Sequence, residues 1–253
     1  MAIPFRHALV TGGGSGVGRA VALVLAEKGV EVTLCGRRME RLEEVAATGP
    51  RLHAIAADVT DEASVAALYQ QAQAARGMFD IVVANAGMAS SAPAAKTTLD
   101  DWRKTLAVNM TGAFLSVRPA MDTMRNARGG RIVFIASTAG LKGYPYVAAY
   151  VAAKHGVIGL MRALAVEMAR TGVTVNAVCP GFVETGMLEE SVTRIVETTG
   201  RTIDEARAAL TATNPQGRLI QPQEVADTVL WLCRAEASSI TGQSISVSGG
   251  ETW

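Results

Sequence analysis

The chain has little of what would mark it for a metal, a membrane or a nucleic acid. Only three cysteines occur in 253 residues, Cys35, Cys179 and Cys233. They sit in separate apolar stretches without the short paired spacing of a zinc site or redox motif, so they are expected to be reduced core residues. His7, His53 and His155 are equally dispersed, and no metal site is expected. A formal net charge of +1 supplies no global attraction to nucleic acid or anionic lipid, so neither is expected as a partner. No uncharged stretch approaches the roughly 18 residues of a membrane span, and the opening MAIPFRHALV lacks a long apolar run after a basic segment. A cytoplasmic protein is the expectation.

What is present is a fold rhythm. With 49% hydrophobic and 19% charged residues, the composition is that of a globular chain. Short β-rich runs, HALVT (7–11), EVTLC (31–35), LHAIAAD (52–58), DIVVANAG (80–87), RIVFIAS (131–137), VTVNAVCPG (173–181) and QSISVSGG (243–250), alternate with longer helical stretches. The strands are nearly continuous in apolar residues, which is the pattern of strands covered on both faces. The spacing predicts an α/β fold: one doubly wound domain over 1–253 with a seven-stranded parallel sheet. Residues 182–221 break the rhythm with two amphipathic stretches after a strand end, a position suited to a helical lid.

Between the first strand and the first helix lies TGGGSGVGRAVA. Glycines at such a turn let the backbone approach a pyrophosphate, and the helix start offers open N–H groups. Val17 occupies the place where G-x-G-x-x-G needs its third glycine, so the loop fits T-G-x-x-x-G-x-G instead. The candidate phosphate cradle is Gly12, Ser15, Gly16, Val17 and Gly18. At the end of the second strand, where a carboxylate would bind the ribose hydroxyls of NAD, stand Cys35-Gly36-Arg37-Arg38. Arg37 and Arg38 can pair with a 2'-phosphate, so NADP(H) is favoured over NAD(H), which stays possible.

A second motif carries chemistry. Tyr150 precedes Lys154 by four residues, placing both on one helix face, and Ser137 lies thirteen residues upstream at a strand end. Moving a hydride onto a carbonyl requires a proton donor and a polarising hydrogen bond, which Tyr150 and Ser137 would supply. A free phenol has a pKa of about 10, and the Lys154 ammonium is expected to lower it by stabilising phenolate. Tyr144 and Tyr146 have no lysine at the fourth position onward.

Over essentially its whole length the sequence resembles the short-chain dehydrogenase/reductase family. The resemblance rests on an ordered set: Thr11-Gly12 with Gly16 and Gly18, Asp58-Val59, Asn85-Ala86-Gly87, Asn109, Ser137, Tyr150 with Lys154, and Pro180-Gly181 with Val183 and Thr185. It implies a Rossmann-type sheet, an enzyme and often a homotetramer. It further implies that Asp58 holds the adenine amino group, with Val59 beside it, and that Asn85 and Gly87 lie along the cofactor. Pro180, Gly181, Val183 and Thr185 would flank the nicotinamide amide, Lys154 would hold the ribose, and Asn109 would position a water joining that lysine to solvent. Ala84 departs from the pattern, because many members have a second asparagine there. The stretch 169–187 resembles the ketoreductases of aromatic polyketide synthesis, and the wider chain is also similar to β-ketoacyl reductases and hydroxyacyl-CoA dehydrogenases.

The expected substrate pocket lies between Ser137, Tyr150, the segment 141–146 with Tyr144, and Met187 and Leu188 of the insertion. It reads as apolar and aromatic, with no fixed carboxylate or arginine in view, which suits a small-molecule ketone, a ketoacyl thioester or the corresponding alcohol. Two other readings stand beside ketone reduction. One is NAD-dependent oxidation of a hydroxyacyl-CoA or alcohol, and the other a non-catalytic dinucleotide sensor.

Overall fold

A computed structural model describes residues 3–253. Seven strands form one parallel sheet in the order β3-β2-β1-β4-β5-β6-β7. They are β1 (His7–Thr11), β2 (Glu31–Gly36), β3 (Leu52–Ala56), β4 (Ile81–Ala84), β5 (Gly130–Ile135), β6 (Val173–Pro180) and β7 (Ser244–Val247). Every residue of β1, β4, β5 and β6 is buried, whereas edge strands β3 and β7 are partly open. The continuous apolar runs therefore belong to the strands covered on both faces.

Helices α1 (Gly16–Glu27), α2 (Met39–Ala46), α3 (Glu62–Arg76), α4 (Leu99–Leu106), α5 (Gly112–Ala127) and α6 (Ala148–Met168) follow the successive strands. Next come α7 (Gly186–Thr199), α8 (Ile203–Thr211) and α9 (Pro222–Leu232). One apolar layer joins α3, α5 and α6 to the sheet through Tyr69, Met124 and Met161. The opposite layer joins α1, α2 and α9 through Leu25, Leu42 and Val229. Among the described residues α6 alone is long and apolar enough to cross a bilayer. Its Ala153, Val157, Met161 and Met168 are instead packed into the core.

The insertion carries α7 and α8 around its own small cluster of Leu188, Val192 and Ala206. A bridge pairs Val183 with Ile220, which fastens the two ends of the insertion together at its base. Thr202 and Glu205 form a reciprocal capping box that starts α8.

The strand order reverses direction between β1 and β4, and the carboxyl ends of these two strands open the crevice in which such sheets bind ligands. Thr11 holds the two ends together: its Oγ1 accepts the N–H groups of Asn85 and Ala86, both at 3.0 Å. Two donors depend on one hydroxyl. Thr11→Val leaves both bare and is expected to lower unfolding free energy by about 2 kcal/mol, with Thr11→Ser restoring most of it. Denaturant melts check this, and a Val variant as stable as wild type would contradict it.

Candidate active site

The glycine loop is shaped by contacts that exclude a side chain. Gly12 has φ +67°, and a Cβ there would lie 2.8 Å from Asn85 Nδ2. A Cβ on Gly18 would clash with the Gly12 carbonyl oxygen. Asn85 Nδ2 donates to the Thr11 carbonyl at 2.8 Å, so Asn85 braces the loop from β4. Ala84, where the family pattern often has asparagine, is simply a buried strand residue opposite Phe134.

Ser15 precedes α1 without capping it. The first N–H groups of the helix are thus left to an outside acceptor, as a pyrophosphate site requires. Gly16, with φ +51°, abuts Thr185: a Cβ there would be 3.0 Å from Thr185 Cγ2. The loop and the segment after β6 consequently meet across the cleft.

Arg37 and Arg38 are exposed at the end of β2, and neither forms an ion pair among the described residues. Asp58 accepts from the Thr60 N–H at 2.9 Å and from its hydroxyl at 2.8 Å. These bonds hold the carboxyl below its usual range, with Arg37 adding a smaller pull. Arg37 and Asp58 therefore border the same end of the cleft. Val59 is buried against α5, where a Cβ on Gly112 would meet its Cγ2 at 2.8 Å. An uncapped helix start, a side-chain-free turn and two unpaired guanidiniums fit a nicotinamide dinucleotide.

Asn109 occupies a π-helical turn, Ala107–Thr111, between α4 and α5. Such turns commonly mark functional positions. Its Nδ2 donates to the carbonyls of Met88 at 2.8 Å and Thr105 at 2.9 Å, and its Oδ1 accepts the Met88 N–H at 3.2 Å. Gly87 leaves the room this requires, since a Cβ there would lie 2.9 Å from Asn109 Oδ1 and 3.8 Å from Lys154 Nζ. The asparagine thus clamps the segment after β4 beside the lysine.

Ser137 ends the β5 connection, and its Oγ accepts the Ala139 N–H at 3.1 Å, leaving its own proton to turn toward the cleft. Lys154 is only 4% exposed, and its ammonium donates to the Ile135 carbonyl at 2.8 Å. It lies 5.5 Å from the centre of the Tyr150 ring. With no carboxylate paired to it among the described residues, burial lowers its pKa from 10.5 to about 8.

Tyr150 departs from the expectation set by the Y-x-x-x-K spacing. Burial raises the phenol above its ordinary value, and the Ser137 hydroxyl offsets only part of the rise. The spacing does bring the lysine alongside, but desolvation dominates the phenol. In this state the tyrosine is held as the protonated phenol.

Met187 and Leu188, adjacent on α7, point apart because consecutive helical positions differ by about 100°. Met187 is exposed, whereas Leu188 is buried in the lid's own cluster. Tyr144 sets its ring edge-on to Phe182, with centroids 6.1 Å apart. The wall is less apolar than its local sequence suggests. Arg194 of α7 donates to the Ser91 carbonyl at 2.9 Å, linking lid to loop beside a cavity of ≈ 150 Å³ bordered by Tyr146. Glu251, from the end of the chain, accepts the Tyr144 hydroxyl at 2.6 Å. The residue pattern points to neither Arg194 nor Glu251, since one lies inside an amphipathic repeat and the other follows the last strand without a motif.

Comparison with known proteins accords with this geometry. A family model described as short chain dehydrogenase matches residues 6–195. The granaticin polyketide synthase putative ketoacyl reductase 1 of Streptomyces violaceoruber is 38% identical over 249 residues, covering 96% of this chain and 92% of that protein. The cis-4-hydroxycyclohexanecarboxylate dehydrogenase of Sinomonas cyclohexanicum is also 38% identical, over 98% of this chain and 96% of that one. A crystal structure of a single-substitution variant of actinorhodin polyketide ketoreductase with NADPH superimposes with a TM-score of 0.94 at 36% identity, covering 99% of both chains. The chain belongs to the short chain dehydrogenase family. It is an oxidoreductase with a ketoreductase-type fold.

The unpaired ammonium has a consequence for stability. The unfolded chain keeps the Lys154 proton up to about pH 10.5, whereas the folded protein releases it near pH 8. Between those values the unfolded state binds more protons, so folding gains stability as pH rises, and the full penalty applies below pH 8. Lys154→Met removes a charge penalty of roughly 3 kcal/mol at the expense of the bond to Ile135. The variant is expected to be about 2 kcal/mol more stable than wild type at pH 7, with the difference shrinking between pH 8 and 10.5. Denaturant melts across that range check it, and a pH-independent difference would contradict it.

Proposed function

We propose that this protein is an NADP(H)-dependent ketoreductase that interconverts a ketone and a secondary alcohol, the ketone being a ketoacyl thioester or a cyclic or aryl ketone. The observation that carries the reading is the Tyr150 phenol set beside Ser137, with its ring 5.5 Å from the buried Lys154 ammonium. Relatives named as ketoacyl reductase and as dehydrogenase of a cyclic hydroxy acid support the substrate class. A structural neighbour holding NADPH supports the cofactor.

The residues divide the work. The uncapped start of α1, with Gly12, Ser15, Gly16, Val17 and Gly18, would take the pyrophosphate. Arg37 and Arg38 would take the 2'-phosphate, and Asp58 would face the adenine. Lys154 would hold the ribose, and Pro180, Gly181, Val183 and Thr185 the carboxamide. The cofactor, when bound, supplies the hydride for the carbonyl carbon.

Ser137 donates a hydrogen bond to the carbonyl oxygen as negative charge develops there. Tyr150 transfers its proton to that oxygen and becomes phenolate. The Lys154 ammonium stabilises the phenolate, and Asn109 would position a water that links this lysine to solvent for proton resupply.

Tyr150→Phe is expected to lower ketone reduction about 10³-fold while leaving the Kd for NADPH within about threefold, as measured by fluorescence titration. Near-normal turnover would contradict the assignment. NADPH binding by wild type without turnover of any ketone would replace the enzyme reading with a sensor. In the Arg37→Ala/Arg38→Ala protein, kcat/KM for NADPH should fall by about 30-fold with that for NADH little changed. Equal losses with both cofactors would remove the 2'-phosphate role.

A further inference from the structure

Glu251 is a buried carboxylate that the proposed reaction does not use. Gly249 and Gly250, at φ +63° and +94°, turn the chain back after β7, and a Cβ on Gly249 would clash with Asn214 of the insertion. The turn delivers Glu251 between two strand ends. Its side chain is 1% exposed, and Oε1 accepts from the Tyr144 hydroxyl at 2.6 Å and pairs with the Lys142 ammonium at 3.0 Å. Oε2 is buried against Gly181, just after β6, where a Cβ would come within 3.1 Å of it.

Both partners of Oε1 lead to the turn that follows Ser137. Thr138 is buried directly after that serine, and its Oγ1 stands 2.6 Å from the Tyr144 phenol oxygen. The carboxylate takes the phenol proton, so Thr138 is the donor in that bond. Lys142 closes the other side: its backbone N–H donates to the Thr138 carbonyl at 3.0 Å, and its ammonium reaches Glu251. One carboxylate thus holds Thr138 by two routes, through a phenol and through a lysine.

The same turn is pressed against the helix that carries Tyr150 and Lys154. A Cβ on Gly140 would lie 2.8 Å from the Lys154 carbonyl oxygen. Ser137 is tied into the turn as well, because its Oγ accepts the Ala139 N–H at 3.1 Å. Where the turn goes, the hydroxyl goes. A donor aimed at a developing oxyanion must be held within roughly 0.5 Å of its productive place, and a displacement of about 1 Å can cost about 100-fold in rate.

We propose that Glu251 is a positioning residue for the reduction: from the end of the chain it clamps the 138–142 turn against the segment after β6 and so fixes the Ser137 hydroxyl relative to Tyr150 and the cofactor. This rests on the ketoreductase reading and adds to it a residue outside every sequence motif.

The test is a double-mutant cycle on the reduction rate, read as single turnovers of NADPH with enzyme in excess so that a slow background stays measurable. Glu251→Leu is expected to lower the rate about tenfold in wild type but less than about twofold in a Ser137→Ala background, since an absent hydroxyl cannot be misplaced. The Kd for NADPH should stay within about threefold in all four proteins. Glu251→Gln keeps an oxygen to accept from Tyr144 and should retain the rate within about threefold.

A purely structural role would cost the same factor with and without Ser137. Should the leucine variant fail to fold, Tyr144→Phe cuts the same chain by one hydroxyl and should show the same dependence on Ser137. Equal losses in both backgrounds, or a wild-type rate in Glu251→Leu, would overturn the proposal while leaving the ketoreductase reading in place. Failure of wild type to reduce any ketone would overturn both.

Discussion

The site depends on one ammonium taken out of water without a carboxylate to meet it. Among the described residues Lys154 is anchored by the Ile135 carbonyl alone, at the end of the fully buried strand β5. An isolated buried charge is expensive, and proteins normally avoid it or shift its pKa. Here the rest of the structure is arranged around that cost. Gly87 keeps a side chain away from the ammonium, Asn109 clamps the loop after β4 beside it, and the Tyr150 ring lies 5.5 Å from it. The charge is uncommitted, which leaves it free to stabilise whatever anion forms nearby.

The parallel sheet does the assembling. Thr11, Asn85, Ser137 and Gly181 come from the carboxyl ends of β1, β4, β5 and β6, and they are far apart in sequence but neighbours in the strand order. In the proposed reading each strand end would deliver one function: a turn open to phosphate, a brace for that turn, a polarising hydroxyl and a wall for the cofactor. The insertion carries α7 and α8 on a small core of its own, tied to the loop after β4 by the bond from Arg194 to Ser91.

Much of this is legible in the residue order. Continuous apolar runs identify strands buried on both faces, and the glycine turn before α1 locates the crevice, because both patterns arise from local constraints. The four-residue spacing correctly brings Tyr150 and Lys154 together. It does not reveal that burial dominates the phenol's pKa, since desolvation depends on every element packed around it. Leu188 reads as a pocket residue but packs inside the lid, because an amphipathic stretch shows which residues share a face and not which face meets the cleft. Glu251 is illegible for another reason: it sits beyond the last strand, and only the pairing of β6 with β7 returns the end of the chain to Tyr144.

Burial, more than charge, governs the state of Tyr150. The most direct measurement is the ultraviolet phenolate titration of the cofactor-free protein, taken as the difference between wild type and Tyr150→Phe. Phenolate attributable to Tyr150 should develop only above pH 10, the ordinary value for the group. A clear phenolate step near neutral pH would show that the lysine charge prevails over desolvation, and would contradict it.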